Sequence, residues 1–480
     1  MKKITAILLC LAMLLSALAL TGCGEDEEKK PAAETVDLND GSTPLYAIIR
    51  GADASSAARS AISSFRLNIR EKTTAMLELK TDADEKLAGL HEIIIGETNR
   101  EKSAGAASTL GEDQFRIVMM EDDLVIAASN DNCLALALDT FEKEYVKDGK
   151  VSVPSDLDRS WQCGAEYTYK EIKNPMNDGA NDPFVTYHDG YYYYCWSSGT
   201  GVNVSKAKTL DKVSYNGGVN VYTAPGGTNY SGEYWAPELH YIDGSWYIYV
   251  AADDGNDVNH RMWVLKGTDE DATRPFKMVG KIYDSTDKWA IDGTVLHLND
   301  QLYFVWSGWA GDNDGGNQKL YIAHMSDPCT IDTKRVMISS PSYSWEGPLN
   351  EGPFAATYNG NTYIFFSGNG SWTDDYCVGY LKLTGNDPLK AKSWTKCSTP
   401  ILSKTTGAYG PGHCSITVAA DGTPWIVYHA NKEAGTGWKG RSFWLQELKF
   451  NDKGDPKRIT PAKTVKIPAA KWVVQNEITN

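Results

Sequence analysis

The stretch Asp189-Gly190 followed by Tyr191-Tyr192-Tyr193-Tyr194 places a turn-forming doublet before a run of aromatic residues, and this combination occurs five times along the chain. The doublets recur at intervals of about 54 to 62 residues, which is enough chain for one four-stranded sheet per unit. The doublets and their aromatic runs are 189–190 with 191–194, 243–244 with 246–249, 299–300 with 303–306, 359–360 with 363–366, and 421–422 with 425–428. We therefore predict a mainly β chain whose residues 166–470 form a five-bladed β-propeller.

A polar residue stands a few positions before each doublet, near the start of the first predicted strand of each unit. These residues are Asp182, Glu238, Asp292, Glu351 and His413. Because the first strand of a propeller blade lines the central axis, we expect the five side chains to meet in one cavity. A β-sandwich is the structural alternative, but it does not predict a fivefold period with polar residues in register.

The fourth unit contains two candidate glutamates, because residues 346–348 and 351–353 repeat the tripeptide Glu-Gly-Pro. Glu351 stands as far before its doublet as His413 does in the fifth unit. Glu346 stands farther away and falls in the preceding loop. The register therefore favours Glu351 as the member of the polar set.

Carboxyl groups on opposite sides of a cavity can cleave a glycosidic bond. One protonates the leaving oxygen, and the other activates water or attacks the sugar carbon. Asp182, Asp292 and Glu351 are the candidates, although both aspartates also fit ordinary turns. Glu238 either holds substrate or pairs with a neighbouring group to fix the pocket wall. His413 is either a hydrogen-bonded structural residue or a neighbour of a hydrated Ca²⁺ ion.

Aromatic residues near the polar set are candidates for stacking on sugar rings. Trp235 is the first choice because it adjoins Glu238, and Trp306 and Trp309 are the others. Propeller blades bury many aromatic side chains between sheets, so core packing is the alternative for each of them.

The five polar residues lie in short motifs: Asn-Asp-Pro at 181–183, Trp-Ala-Pro-Glu at 235–238, Ile-Asp-Gly at 291–293, Asn-Glu-Gly-Pro at 350–353 and Gly-Pro-Gly-His at 410–413. Taken in order, these motifs resemble glycoside hydrolase family 43 over about residues 166–465. The resemblance implies a five-bladed propeller that hydrolyses mostly arabinofuranosides and xylosides with inversion. Inversion needs room for a water molecule, so the carboxyls of Asp182 and Glu351 are expected about 6.5–9.5 Å apart.

The same resemblance implies a role for each matching residue. Asp182 would be the general base, Glu351 the general acid, and Asp292 the residue that raises the pKa of the acid and orients it. His413 would lie near an axial metal ion, commonly calcium, and Arg441 would contact substrate from the last blade. No cofactor is expected for the chemistry itself.

Our leading hypothesis is an α-L-arabinofuranosidase that acts on plant arabinan or arabinoxylan. A β-xylosidase or an endo-arabinanase is the alternative within the family, and a non-catalytic glycan-binding propeller is the alternative from another class. A lectin has no need for an opposed acid and base, which favours the enzyme. A retaining fructan hydrolase fits less well, because its Trp-Met-Asn-Asp-Pro-Asn segment is missing and residues 174–178 are only superficially similar.

Composition limits the partners and the location of the chain. With 47 Lys and Arg against 62 Asp and Glu, the net charge of −15 argues against nucleic acid and anionic membrane surfaces as partners. Residues 1–22 read as a lipoprotein signal peptide, with acylation at Cys23 and a polar tether over 23–42, and a plain secretory signal is the alternative. We therefore expect an exported, surface-anchored monomer.

The segment before the propeller differs in composition, because all 15 tryptophans lie at or after Trp161. Apolar runs there alternate with helical patterns over about 55–75 and 131–146. We predict a small α/β accessory domain over residues 43–160, with no constellation that suggests chemistry.

Overall fold

A computed structural model of the protein describes residues 34–214 and 217–479. The predicted signal segment 1–22, Cys23 and the first part of the tether 23–42 lie outside these ranges. Among the described helices, none has the length and apolar character required to cross a bilayer. Strands dominate the described chain, which confirms the prediction of a mainly β protein.

The N-terminal part combines parallel strands with helices. Its strands are β1 (Thr35–Asp37), β2 (Asn39–Asp40), β3 (Thr43–Pro44), β4 (Tyr46–Arg50), β5 (Glu78–Thr81), β6 (His91–Ile95), β7 (Gln114–Met120), β8 (Asp123–Ala128), β9 (Val146–Lys147), β10 (Lys150–Pro154) and β11 (Asp158–Lys173). Its helices are α1 (Ser56–Thr73), α2 (Glu101–Ala107) and α3 (Asp131–Tyr145). The Ser55 side chain caps α1 by accepting the Ala58 N–H, and Asn130 caps α3 in the same way.

One seven-stranded sheet connects this part to the rest of the chain. Its order is β33-β11-β7-β8-β6-β4-β5, where β33 is the C-terminal strand Thr464–Ile478. Strand β11 crosses the predicted boundary near residue 160 and pairs with β33 along residues 160–173. Strands β11 and β33 lie at the two ends of the predicted propeller segment. They pair with each other, and β11 also pairs with β7 of the N-terminal part.

Five antiparallel sheets, called sheets 1 to 5 here, follow along the chain. Sheet 1 contains β13 (Phe184–His188), β14 (Tyr191–Ser197), β15 (Gly201–Ala207) and β16 (Val219–Thr223), and sheet 2 contains β17 (Gly232–Ile242), β18 (Ser245–Asp253), β19 (Arg261–Gly267) and β20 (Phe276–Ile282). Sheet 3 contains β21 (Ala290–Leu298), β22 (Gln301–Gly308), β23 (Lys319–Asp327), β24 (Thr330–Ile331) and β25 (Val336–Ser339). Sheet 4 contains β26 (Asn350–Tyr358), β27 (Asn361–Gly368), β28 (Cys377–Leu383) and β29 (Trp394–Lys396).

Sheet 5 differs because one of its strands comes from an earlier part of the chain. It contains β30 (Tyr409–Val418), β31 (Pro424–Asn431), β32 (Arg441–Glu447) and β12 (Asn177–Asp178), which precedes sheet 1 in sequence and pairs with β32. Short 3₁₀ turns occur at Leu210–Lys212, Asp257–Asn259, Ser344–Glu346, Ala391–Ser393 and Gly437–Gly440. The first strand of each sheet contacts the first strand of the next, and β30 contacts β13.

The turn doublets that define the repeat join the first and second strands of their sheets. In the first four sheets both residues of the doublet have positive φ, as two-residue hairpin turns require. The values are 47° and 77° at 189–190, 47° and 77° at 243–244, 50° and 58° at 299–300, and 47° and 72° at 359–360. Asp, Asn and Gly are the residues that adopt this backbone most readily, which explains the sequence signal.

Candidate active site

Four of the predicted site residues, Glu238, Asp292, Glu351 and His413, lie at or next to a backbone irregularity that recurs in sheets 2 to 5. Near its start, the first strand of each of these sheets shifts register against the second strand. A residue with left-handed backbone lies at each shift: Ala236 (φ 43°), Asp292 (φ 56°), Gly352 (φ 54°) and His413 (φ 48°). A bulge of this kind turns neighbouring side chains away from the regular alternation of a strand.

Asp182 lies just before β13, also with positive φ (45°), and its carboxylate is surrounded by nitrogen atoms. Arg441 Nη1 donates to Asp182 Oδ1 at 3.0 Å. The Nδ1 atoms of His413 and His429 lie 3.3 and 3.4 Å from the same oxygen. The Asp182 side chain remains 18% exposed, so water can reach the carboxylate while the arginine fixes its orientation.

Glu351 is a buried acid at the second position of β26. Its residue exposure is only 6%. Burial raises the pKa of Glu351 from 4.5 to about 7, and the charge of Asp182 acts in the same direction. The nearby Tyr376 hydroxyl and the charge of Arg441 oppose this rise. The side chain can therefore hold its proton near neutral pH.

Asp292 is also buried, at 5% exposure. Its Oδ2 accepts the Gly352 N–H at 2.9 Å, so it contacts the backbone next to Glu351. Burial, followed by the charges of Glu351 and Asp182, raises the pKa of Asp292 well above its ordinary value. Because repulsion between two carboxylates is mutual, whichever ionises first raises the pKa of the other.

Glu346, the rival glutamate, has a different environment. It is fully buried, Lys396 Nζ lies 2.5 Å from Oε1, and the N–H groups of Ser342 and Tyr343 donate to Oε2. Although burial acts in the opposite direction, the lysine and these N–H donors lower the pKa of Glu346. This carboxylate is ionised and fully paired, which is the geometry of a structural ion pair.

Three buried polar atoms on sheet 5 near Asp182 have no hydrogen-bond partner within the described residues. They are His429 Nε2, Asn431 Oδ1 and Arg441 Nε. His429 Nδ1 accepts the Asp182 N–H at 3.3 Å, so the neutral ring carries its proton at Nε2. Buried polar groups are nearly always satisfied, so three of them together indicate a place where a polar ligand or water binds.

The predicted substrate-contacting residues of sheets 2 and 3 differ in solvent exposure. Trp235 is partly exposed and stacks on His260, with ring centroids 3.9 Å apart. Glu238 is buried, and its Oε2 lies 2.8 Å from His240 Nε2. Burial raises the pKa of Glu238 well above its ordinary value. Trp306, at 3% exposure, packs against Phe304 in the core.

The surroundings of His413 bear on the predicted calcium ion. Within residues 34–214 and 217–479, no group of three or more His, Cys, Asp or Glu side chains is arranged to hold a metal ion. Burial lowers the pKa of His413, and its backbone N–H donates to Ser367 Oγ. Calcium takes six to eight oxygen ligands, and these side chains alone do not make up such a site. Calcium near His413 therefore stays a prediction.

Comparison with known proteins agrees with this geometry. Residues 172–456 match the family described as Glycosyl hydrolases family 43. The chain belongs to this family. An extracellular exo-α-(1→5)-L-arabinofuranosidase of Streptomyces avermitilis is 35% identical over 53% of this chain and 55% of its own length. A Streptomyces chartreusis protein of the same name is 32% identical over 54% of this chain and 82% of its own length. The chain thus spans about half the length of the first of these relatives.

Two solved structures also resemble the chain. An α-L-arabinofuranosidase from Lactobacillus brevis aligns with a TM-score of 0.57 and 33% identity, covering 61% of this chain and 97% of that one. A thermostable family 43 glycoside hydrolase aligns with a TM-score of 0.54 and 26% identity, with the same coverage. The prediction of the family from five short motifs is confirmed.

Two residues next to the family 43 motifs were not among the predicted site residues. His429 lies on β31, and the corresponding strands of sheets 1, 3 and 4 carry serine at the equivalent position. A histidine in place of a repeated serine is the sequence feature that could have pointed to this residue. Tyr376 precedes β28 and stacks on His429 at 5.7 Å, but it belongs to a loop without a repeated counterpart.

Proposed function

We propose that this chain is an inverting α-L-arabinofuranosidase in which Glu351 is the general acid and Asp182 the general base. The observation that carries the proposal is the contrast between the two carboxyls. Glu351 is buried with a pKa raised to about 7, while Asp182 is partly exposed and hydrogen-bonded to Arg441. Such a separation of environments is how one site keeps one carboxyl protonated and the other ionised.

In the proposed reaction, Glu351 gives its proton to the glycosidic oxygen as the bond to the anomeric carbon breaks. Asp182 removes a proton from a water molecule that attacks the opposite face of the sugar, so the anomeric configuration inverts. Asp292 holds the backbone beside Glu351 through the Gly352 N–H, and Arg441 orients Asp182. No step is assigned to a metal ion.

The proposal includes the architecture. The five sheets would be the blades of a propeller, with the site on its axis. Two observations support this arrangement: the first strands of the sheets contact one another in sequence, and those of the fifth and first sheets also touch. Pairing of β12 with β32 would close the ring, because it joins the beginning of the domain to its last blade.

The proposed substrate is a plant polysaccharide or oligosaccharide with terminal arabinofuranose. The names of the relatives from Streptomyces and Lactobacillus support arabinofuranose, and the word extracellular in the Streptomyces names supports export. Acylation at Cys23, the accessory domain over 43–160 and the monomeric state stay predictions.

The test is hydrolysis of methyl and aryl α-L-arabinofuranosides, β-xylosides and linear arabinan, with product configuration followed by NMR. We expect release of arabinose with inversion, and loss of activity on poor leaving groups in Glu351→Gln. The control is Glu447→Gln, which changes a partly exposed carboxyl on sheet 5. Wild-type rates in Glu351→Gln on the methyl glycoside would show that the acid lies elsewhere, and preference for xylosides would show that the sugar is wrong.

A further inference from the structure

Two tryptophans of the described chain have large exposed surfaces, and they lie together. Trp372 is 52% exposed and Trp438 is 59% exposed. Their ring centroids are 6.0 Å apart and their planes are inclined at 73°. Packing in the core explains most tryptophans of this protein, but it does not explain an exposed pair.

The pair lies on two loops that are joined to each other. Trp372 belongs to the loop 369–376 after β27, and Trp438 belongs to the loop 432–440 after β31. The Trp438 indole N–H donates to Ser371 Oγ at 3.1 Å, and the Gly435 N–H donates to Asp374 Oδ1 at 2.8 Å. These contacts hold the two rings in a fixed relation, so a ligand would meet a prearranged surface.

Arg441 connects this surface to the candidate active site. Its Nη1 donates to Asp182, and its Nη2 donates to the carbonyl oxygen of Ser371 at 3.3 Å. Ser371 directly precedes Trp372 and accepts the indole N–H of Trp438. One arginine therefore bridges the proposed base and the loop that carries the exposed pair.

We propose that Trp372 and Trp438 form a sugar-binding subsite for the part of an arabinose chain that lies beyond the bond to be cleaved. This proposal rests on the proposed function. Aromatic faces pack against the C–H faces of sugar rings. Because the two ring planes are inclined to each other, one furanose could contact the face of one ring and the side of the other. Two side chains are far smaller than an interface between protein copies, which favours a small ligand.

The subsite predicts that chain length controls the effect of removing the rings. On α-1,5-arabinopentaose, the double variant Trp372→Ala/Trp438→Ala is expected to lower kcat/KM about tenfold, mainly through a higher KM. Methyl α-L-arabinofuranoside has a leaving group too small to extend to a subsite beyond the cleaved bond, so its kcat/KM is expected to change less than about twofold. Trp372→Phe/Trp438→Phe keeps aromatic faces and is expected to recover most of the loss.

Tyr169→Ala is the matched control, because Tyr169 is an exposed aromatic (65%) on β11 outside sheets 1 to 5. Binding of arabinopentaose to Glu351→Gln, with and without the tryptophan changes, measures the same effect without turnover, and about tenfold weaker binding is expected. Equal losses on both substrates, or none on arabinopentaose, would overturn the subsite while leaving the proposed function intact. A wild-type protein that neither hydrolyses nor binds any arabinofuranoside would overturn both.

Discussion

Replacing Glu351 with glutamine is expected to stabilise the protein, and the gain should depend on pH. Burial raises the pKa of Glu351 from 4.5 to about 7, so the folded state keeps a proton that the unfolded chain releases. The contribution of this carboxyl to the free energy of unfolding is present below the unfolded pKa and is lost as pH rises to about 7. With each pKa unit worth about 1.4 kcal/mol, the loss amounts to about 3 kcal/mol.

The measurement is the free energy of unfolding of wild type and Glu351→Gln, from urea transitions at pH values between 4 and 8. Loss of a hydrogen bond or a packing change shifts the variant by a constant amount at every pH. The informative quantity is therefore the difference between the two proteins, which should grow by about 3 kcal/mol in favour of the variant between pH 4.5 and 7.

Glu346→Gln is the matched control with the opposite sign. The ion pair with Lys396 lowers the pKa of Glu346, so this carboxylate stabilises the fold above its unfolded pKa and loses that effect as pH falls. The variant is expected to be less stable by about 3–5 kcal/mol at neutral pH, with a smaller deficit in acid. Parallel stability curves for wild type and Glu351→Gln from pH 4 to 8 would refute the reasoning that burial holds a proton on Glu351.

The remaining predictions concern activity. Because the acid must be protonated, kcat/KM on a substrate with a poor leaving group should fall about tenfold per pH unit above about pH 7, and a rate that stays flat to pH 9 would contradict this. Asp182→Asn should lower kcat by about 10²–10⁴-fold, as measured on arabinobiose, and Arg441→Lys should lower it less because one donor to Asp182 can remain. Gly352→Ala should lower kcat, because φ is 54° and the new Cβ would lie 3.1 Å from His413 Nδ1; wild-type kinetics would show that the Gly352 N–H does not position Asp292.

Much of the architecture could be predicted because its signals are local. A two-residue hairpin turn needs positive φ at both residues, and Asp-Gly or Asn-Gly doublets predict such a turn because these residues adopt positive φ readily. The pairing of β12 with β32 and of β11 with β33 could not be predicted, because each joins segments that are far apart in sequence and neither carries a turn signal. The predicted boundary near residue 160 rested on composition, and composition does not show that one strand continues through it.

In the candidate site, too, local sequence features could be predicted and contacts between distant segments could not. Register favoured Glu351 over Glu346, and the structure gives the physical contrast: within the described residues no cation forms an ion pair with Glu351, whereas Glu346 is paired with Lys396. The contacts of His429 with Asp182 and of Tyr376 with Glu351 depend on how two sheets meet, which no local pattern encodes. The exposed pair Trp372 and Trp438 could not be predicted either. Solvent exposure distinguishes these two from the other thirteen tryptophans, and the sequence does not report exposure.

The recurring bulge explains how sheets 2 to 5, which are similar in structure, can carry different chemistry at equivalent positions. Each bulge fixes where a side chain projects, and the residue type at that point decides whether the sheet contributes a carboxyl or an imidazole. Non-glycine residues with left-handed backbone cost of order 1–3 kcal/mol each, and Asp182, Asp292 and His413 all adopt it within one site. Added to the burial of the Glu351 and Asp292 carboxyls, this strain makes the site a locally unfavourable part of the fold. The large aromatic cores between the sheets offset it, which is why the stability gained by removing Glu351 should come with lost activity.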